Sequence, residues 1–320
     1  MKKIYNKTSF ALIFILYIFL GVLINSCQKE DGVTLKKDVA VENFQNIEVQ
    51  KNLINGWIEP EPAKIEHKML NTMQKENSTP VVWCTVPSHR IFRSVNNGAN
   101  WYEPNSAARL RTVSVGRSAE SVWGVSYNAK NGRIFKWNGS SWNEPNPAAS
   151  AKDISSYTNL EAMVTSTSGK VYATSNGGAS WGLISSESLI DKVSYGNWNN
   201  IYALTDFGRV LQYNIYSHKF EYISNTKKFK HIAAGQAPGQ VWAIDFNNRI
   251  YQSNNFGTIW YEPNSKARAV AGISIGHDKI YVLGGDHHYG GSSKIYASLG
   301  NNWYEPNSNA LATQISAGLD

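Results

Sequence analysis

The chain has 320 residues but only two cysteines, Cys27 and Cys84, and four methionines. Two cysteines exclude a disulfide-built scaffold and a cysteine-rich zinc module, which need several spaced thiols. Charge is sparse at 17% of residues, with a formal net charge of +7. Without Lys2, Lys3 and Lys7 at the N-terminus the excess falls to +4, well short of the concentrated basic face of a nucleic-acid binder. No H-E-x-x-H, phosphate-binding Walker loop or C-x-x-C pair occurs, so nothing predicts a zincin, a P-loop enzyme or a dithiol site, and no cofactor is expected. Residues 81–320 also lack any sustained helical period, which excludes a helical bundle. What is abundant is aromatic: 11 Trp and 17 Tyr, side chains suited to the half-buried surface of a pleated sheet.

Residues 1–26 read as a secretory signal. Lys2, Lys3 and Lys7 precede an apolar run from Phe10 to Ile24, 15 residues long, shorter than the roughly 20 that span a membrane. The run ends in Ile24-Asn25-Ser26-Cys27, with a small residue directly before the cysteine. This resembles the lipobox of bacterial lipoproteins. The resemblance implies cleavage before Cys27 and lipid on its thiol, so that Cys27 is an anchor and not a disulfide partner. The following Gln28-Lys29-Glu30-Asp31 is similar to the surface-export signal of Bacteroidetes lipoproteins, which implies an outer-membrane, cell-surface address. Cys84 then has no partner, and its apolar flanks predict a buried, inert thiol. Residues 27–80 are polar and carry no repeat; they are expected to be a lipidated tether. Asn55-Gly56-Trp57-Ile58-Glu59-Pro60 echoes a later motif, but the rest of a repeat does not follow it.

Residues 81–320 are organised by a repeat. A short apolar run begins at Val82, Val122, Ala162, Ile201, Val241 and Ile280, spaced 40, 40, 39, 40 and 39 residues apart. A second run opens on a base at Arg90, Arg133, Lys170, Arg209, Arg249 and Lys294, and a third on an aromatic at Trp101, Trp142, Trp181, Phe220, Trp260 and Trp303. A fourth is T-V-S-V-G from Thr112, D-I-S-S-Y from Asp153, K-V-S-Y-G from Lys192, H-I-A-A-G from His231, G-I-S-I-G from Gly272 and Q-I-S-A-G from Gln314. Four strand-like runs in each of six units predict an all-β fold, a six-bladed β-propeller of four-stranded blades. With the fourth run closing each unit, six whole units fit between residue 81 and the C-terminus. Ring closure is then expected to need no strand from the opposite end.

The blade Val122–Ser155, with Val82–Gly116 and Val241–Gly276, resembles a tectonin repeat. That resemblance covers about three quarters of the chain and implies a lectin-like propeller that binds bacterial surface glycans or lipopolysaccharide-like ligands. The third and fourth units depart from it by lacking E-P-N, and the sixth by a Gly-rich insertion. Ser94–Trp101, Thr174–Trp181 and Ser253–Trp260 resemble the Asp-box turn, with Asn in place of Asp. Such boxes occur in sialidases and in binding propellers alike, where they imply a tight hairpin with positive-φ positions and a packed Trp.

Trp-Tyr-Glu-Pro-Asn stands at Trp101, Trp260 and Trp303, with Trp-Asn-Glu-Pro-Asn at Trp142. Its Glu is expected beside the base of the preceding strand: Arg90 near Glu103, Arg133 near Glu144, Arg249 near Glu262 and Lys294 near Glu305, opposite-charge cross-strand pairs. Its Tyr alternates with Trp along the strand and so faces the other way. The candidate ligand contacts are therefore Tyr102, Asn105, Tyr261, Asn264, Tyr304 and Asn307, beside the concave funnel and rims that a propeller offers by default. A sialidase-type glycoside hydrolase would need converging carboxylates and an arginine cluster, whereas the repeated Glu and Arg lie one per unit around the ring. No catalytic residue is assigned and the chain is expected not to be an enzyme. Asp286-His287-His288 in the Gly-rich insertion is a possible metal set in residue type, but reads better as a solvated loop. The expected partners are a glycan or lipopolysaccharide-like ligand and the membrane through Cys27. The alternative is an accessory protein-binding subunit of an outer-membrane transport, export or assembly complex.

Overall fold

The structure is a computed structural model that describes residues 80–318, except 128–131, 188, 224–226, 277–278 and 286–290. The signal-like segment, Cys27, the tether up to residue 79 and the Asp286-His287-His288 loop lie outside the described residues.

Six small antiparallel sheets form a six-bladed β-propeller, and no α-helix occurs among the described residues. In the second blade the strands run Leu110–Val115, Val122–Ser126, Gly132–Trp137 and Trp142–Asn143 from the centre outward. In two blades the outermost strand is reduced to a single bridge, Arg93 with Tyr102 and Gln252 with Tyr261. The second strand of each blade, such as V-W-C-T in the first and V-W-G-V in the second, is buried on both faces. This is why its apolar residues run unbroken instead of alternating.

One expectation is corrected. The fourth run of each sequence unit does not close its own blade but begins the next, as that blade's innermost strand. The last of them, Gln314–Gly318, returns to the N-terminal end and pairs with Val81–Thr85, Val81 opposite Gly318 and Thr85 opposite Gln314. Ring closure therefore does borrow a strand from the opposite terminus. The cause lies in the connections: the fourth run is joined to the following apolar run by a short turn, such as 116–121, and short turns pair the strands they join.

The core sits between blades. Trp83 meets the next blade edge-on at Trp137 and Trp142, with centroids 5.5 and 5.9 Å apart. Trp123 meets Trp181 in the same way at 6.1 Å. Such aromatic pairs contribute about 0.5–1.5 kcal/mol beyond their burial. Cys84 is a buried free thiol, and burial raises its pKa far above that of a solvated thiol.

The outer edges carry the pentapeptide, and its Trp, Glu, Pro and Asn each have a structural use. Trp101 follows a turn in which the Ser94 hydroxyl accepts from the Gly98 amide at 2.9 Å and the Asn96 carboxamide accepts from the Asn100 amide at 2.9 Å. The turns at Thr174 and Ser253 repeat both bonds. Asn97 and Gly98 hold positive φ of 59° and 87°, the conformation the turn demands of this dipeptide. The Glu of the pentapeptide pairs as expected in all four blades: Arg90 with Glu103, Arg133 with Glu144, Arg249 with Glu262 at 3.6 Å and Lys294 with Glu305 at 2.9 Å. The Pro packs on the neighbouring blade, where a Cβ on Gly178 would lie 2.7 Å from Pro145. The Asn side chain caps its own turn and donates to the next blade: Asn146 to the Ala179 carbonyl, Asn264 to that of Asn301, Asn307 to that of Ala99, at 2.9–3.1 Å. The blade without this motif at Phe220 meets its base differently, with Arg209 over the Tyr222 ring at 4.0 Å.

A candidate ligand site in the central channel

Six innermost strands enclose a central channel of about 510 Å³. Five of the six runs carry Ser at their third position. Each of these hydroxyls accepts from the fourth-position amide of the next strand around the ring: Ser114 from Ser156, Ser155 from Tyr195, Ser194 from Ala234, Ser274 from Ala317 and Ser316 from Val115, at 2.8–2.9 Å. Innermost strands of different blades do not pair with one another, so their channel-side amides need other acceptors; the serines supply them. Gly272-Ile273-Ser274-Ile275-Gly276 has the G-x-S-x-G spacing of a nucleophile elbow. It lies along a strand and not on a strand-to-helix turn, and Ser274 belongs to this ring of hydroxyls.

The fifth position is Gly in every run but one, because the strands converge there. A Cβ on Gly196 would lie 2.1 Å from the Gly235 carbonyl oxygen, and one on Gly116 2.4 Å from that of Tyr157. The exception, Tyr157, stacks on Tyr195 at 4.8 Å and receives a hydrogen bond from Arg117 at 3.0 Å. This end of the channel is narrow.

The first position lies toward the opposite, wider end and differs in every blade: Thr112, Asp153, Lys192, His231, Gly272 and Gln314. Gln314 bonds Val113 of the next strand through both ends of its carboxamide, at 3.1 and 2.8 Å. The charged residues fall on or beside four consecutive innermost strands, those of Arg111, Asp153, Lys192 and Lys230. Lys152 pairs with Asp191 at 2.5 Å and with Asp206 at 3.6 Å, and Lys192 lies 3.5 Å from Asp191. Arg111 donates to the carbonyls of Ala151 and Lys152, and Lys230 to the Val270 carbonyl at 2.7 Å and to Asn248. Two cations are thus held by neutral oxygens, leaving the mouth cationic.

This environment separates the titrations. Burial raises the pKa of Asp153 above the usual carboxylate range, against the pull of Lys192 and the amides of Ile154 and Val193. Burial works the same way on Asp191, but Lys192 and Lys152 prevail and hold it below that range. Burial, with Lys192 and Lys230 close by, pushes His231 down to about 3, so its imidazole is neutral at physiological pH.

The six candidate contacts of the pentapeptide stand apart from this mouth. Tyr102 and Tyr261 are 45% and 44% exposed on the blade edges, and Tyr261 receives a bond from Asn254 at 3.1 Å. Tyr304 is half-buried and accepts from Lys279 at 3.2 Å. The side-chain oxygens of Asn105, Asn264 and Asn307 accept amides of their own turns. The channel residues were visible in sequence only as the variable first position of runs whose third and fifth positions repeat. Among the described residues no cluster of His, Cys, Asp and Glu has metal-binding geometry.

No family model matches the chain, and no curated protein matches it in sequence. Solved structures share its architecture. TolB from Acinetobacter baumannii aligns with a TM-score of 0.57 and 8% identity over 75% of this chain and 66% of its own. A chain of a nidogen/laminin complex aligns with a TM-score of 0.57 and 10% identity over 75% of this chain and 98% of its own. At such identities the likeness is one of fold: this chain is a six-bladed β-propeller.

Proposed function

We propose that this protein is a non-catalytic, tectonin-like binding propeller that takes a carbohydrate or lipopolysaccharide-like ligand in the wide mouth of its channel. In this reading a lipid on Cys27 holds it at the outer membrane, facing the cell exterior. One observation carries the proposal: the first position of the channel-lining runs differs in every blade and is Asp, Lys and His in three consecutive ones, while the third and fifth positions repeat. A scaffold that needs equal packing at every blade has no structural use for Asp153, Lys192 and His231 in three consecutive blades. Together they offer an acceptor, a donor and a neutral imidazole able to do either, which suits the hydroxyls of a sugar. The absence of catalysis is supported by the two carboxylates nearest the mouth. Asp191 is engaged by Lys152 and Lys192, and Asp153 by two backbone amides. Tyr102 and Tyr261 are secondary contacts available to a longer glycan.

The test is an array of neutral and acidic oligosaccharides probed with the full chain in mild detergent. Specific, competable retention that D153N and K192A weaken by about tenfold, the worth of one good hydrogen bond, supports the reading. Retention untouched by either variant places the ligand elsewhere, and no retention at all defeats the carbohydrate class. Labelling of the wild type but not of C27S by a fatty-acid probe tests the anchor.

A second reading, docking of a protein partner, is favoured by two exposed side chains. Phe207 and Phe246 are 64% and 60% exposed, and the Phe246 ring lies against Gly208, the residue after Phe207, where a Cβ would meet it at 2.7 Å. Co-purification of an outer-membrane protein with the wild type but not with a Phe207→Ser, Phe246→Ser variant tests it.

A further inference from the structure

The ring of serine hydroxyls has one gap. Where the other five innermost strands carry Ser, the strand Phe229–Ala234 carries Ala233. The amide that a hydroxyl at this position would serve, by the register of the other five, belongs to Ile275. The next strand begins its run at Gly272, where a Cβ would crowd Leu283 and Ile315 at 3.2 and 3.3 Å, and His231 stands two residues before Ala233; Gly272, His231 and Ala233 all line the channel. A channel-side amide without a protein acceptor must find an oxygen elsewhere. His231, two residues before Ala233 on the same strand, adds a second hydrogen-bonding group to this wall, uncharged because burial and the neighbouring Lys192 and Lys230 disfavour its protonation.

We propose that this gap is the ligand's seat: the Ile275 amide donates to an oxygen of the bound carbohydrate, in the place that a serine hydroxyl fills between every other pair of blades. The inference rests on the carbohydrate reading above and fixes where in the mouth the sugar is held. It assigns Ala233 as a specificity-determining residue through what it lacks. In a ring whose other interfaces are closed by Ser, Ala here lacks the acceptor and leaves the donor unclaimed.

The experiment compares the full chain with A233S and A233V on the same array of neutral and acidic oligosaccharides, alongside thermal unfolding. In A233S the new hydroxyl completes the ring. Its unfolding temperature is expected to rise, and the oligosaccharides retained by the wild type to weaken by about tenfold, the worth of one lost hydrogen bond. A233V fills the same space without an acceptor, so it should lose the sugars with no gain in unfolding temperature. Binding by both variants within about twofold of the wild type, about 0.4 kcal/mol, overturns the seat and leaves the carbohydrate reading standing. A wild type that retains no oligosaccharide overturns the carbohydrate reading itself, whatever the variants' unfolding temperatures.

Discussion

The outer edges of the blades and the wall of the channel are built from the same repeat but behave oppositely. At the edge, Trp-Tyr-Glu-Pro-Asn returns with little change, and its Trp, Glu, Pro and Asn each close a contact that recurs from blade to blade. On the wall, Ser and Gly recur for the same reason, while the first residue of the run, two before the Ser, is different every time. A motif that repeats around a ring is explained by what every blade needs. A position that varies on such a ring is not, and that is where a ligand is best sought.

The comparison can be broken most severely at closure. Truncation after Thr313 removes the strand that pairs with Val81–Thr85 and two ties to the second blade, from Gln314 and Ser316. The ring should then lose cooperative unfolding and its near-ultraviolet circular dichroism; a truncated chain that melts like the wild type would refute the clasp. Next in size is the packing between blades. W83A removes a fully buried indole and should cost about 3–5 kcal/mol. Y102A on the exposed edge should stay within about 0.5 kcal/mol. Denaturant titration of the pair measures how far edge and interior differ.

G196A is expected to be intermediate, at about 1–3 kcal/mol, because its methyl would overlap the Gly235 carbonyl where the strands converge. The wall's titration gives a smaller, pH-dependent effect. His231 is held at about 3 against an ordinary 6.5, so unfolding takes up a proton between those values. Its contribution to stability is complete above 6.5 and is lost as pH falls through that window. Asp153, with its raised pKa, works in the opposite sense, and Asp191, with its lowered pKa, in the same sense as His231. The informative quantity is therefore the difference between wild type and H231N, which should shrink steadily from pH 6.5 toward 4. Parallel stability curves would show that His231 is not buried as described. The smallest effect belongs to the edge: E144Q removes an ion pair with a well-exposed Arg133, and its loss should be barely measurable and vanish in high salt.

Much of this was legible in the sequence, since periodicity and pairing are local. The 40-residue spacing implied six blades, alternation along the third strand put Tyr102 opposite Trp101, and base and Glu at matched strand positions implied four ion pairs. The strand that starts a blade was misassigned, because the run T-V-S-V-G has the same pattern whether it ends one sheet or begins another. Only the pairing register distinguishes the two. The site was half legible: His231 and Ala233 stand out in H-I-A-A-G against the other five runs, but nothing local says that this run faces a channel.

The sequence by itself thus determined the number of blades, the turn chemistry and the edge pairing. These depend on residues within one repeat, close along the chain. Tertiary structure alone decided the closure by the C-terminal strand, the ring of serine hydroxyls and its single gap, and the gathering of Asp153, Lys192 and His231 at one mouth. Those contacts join residues about 40 to more than 200 positions apart. They exist only once the ring has closed and brought the innermost strands around one axis.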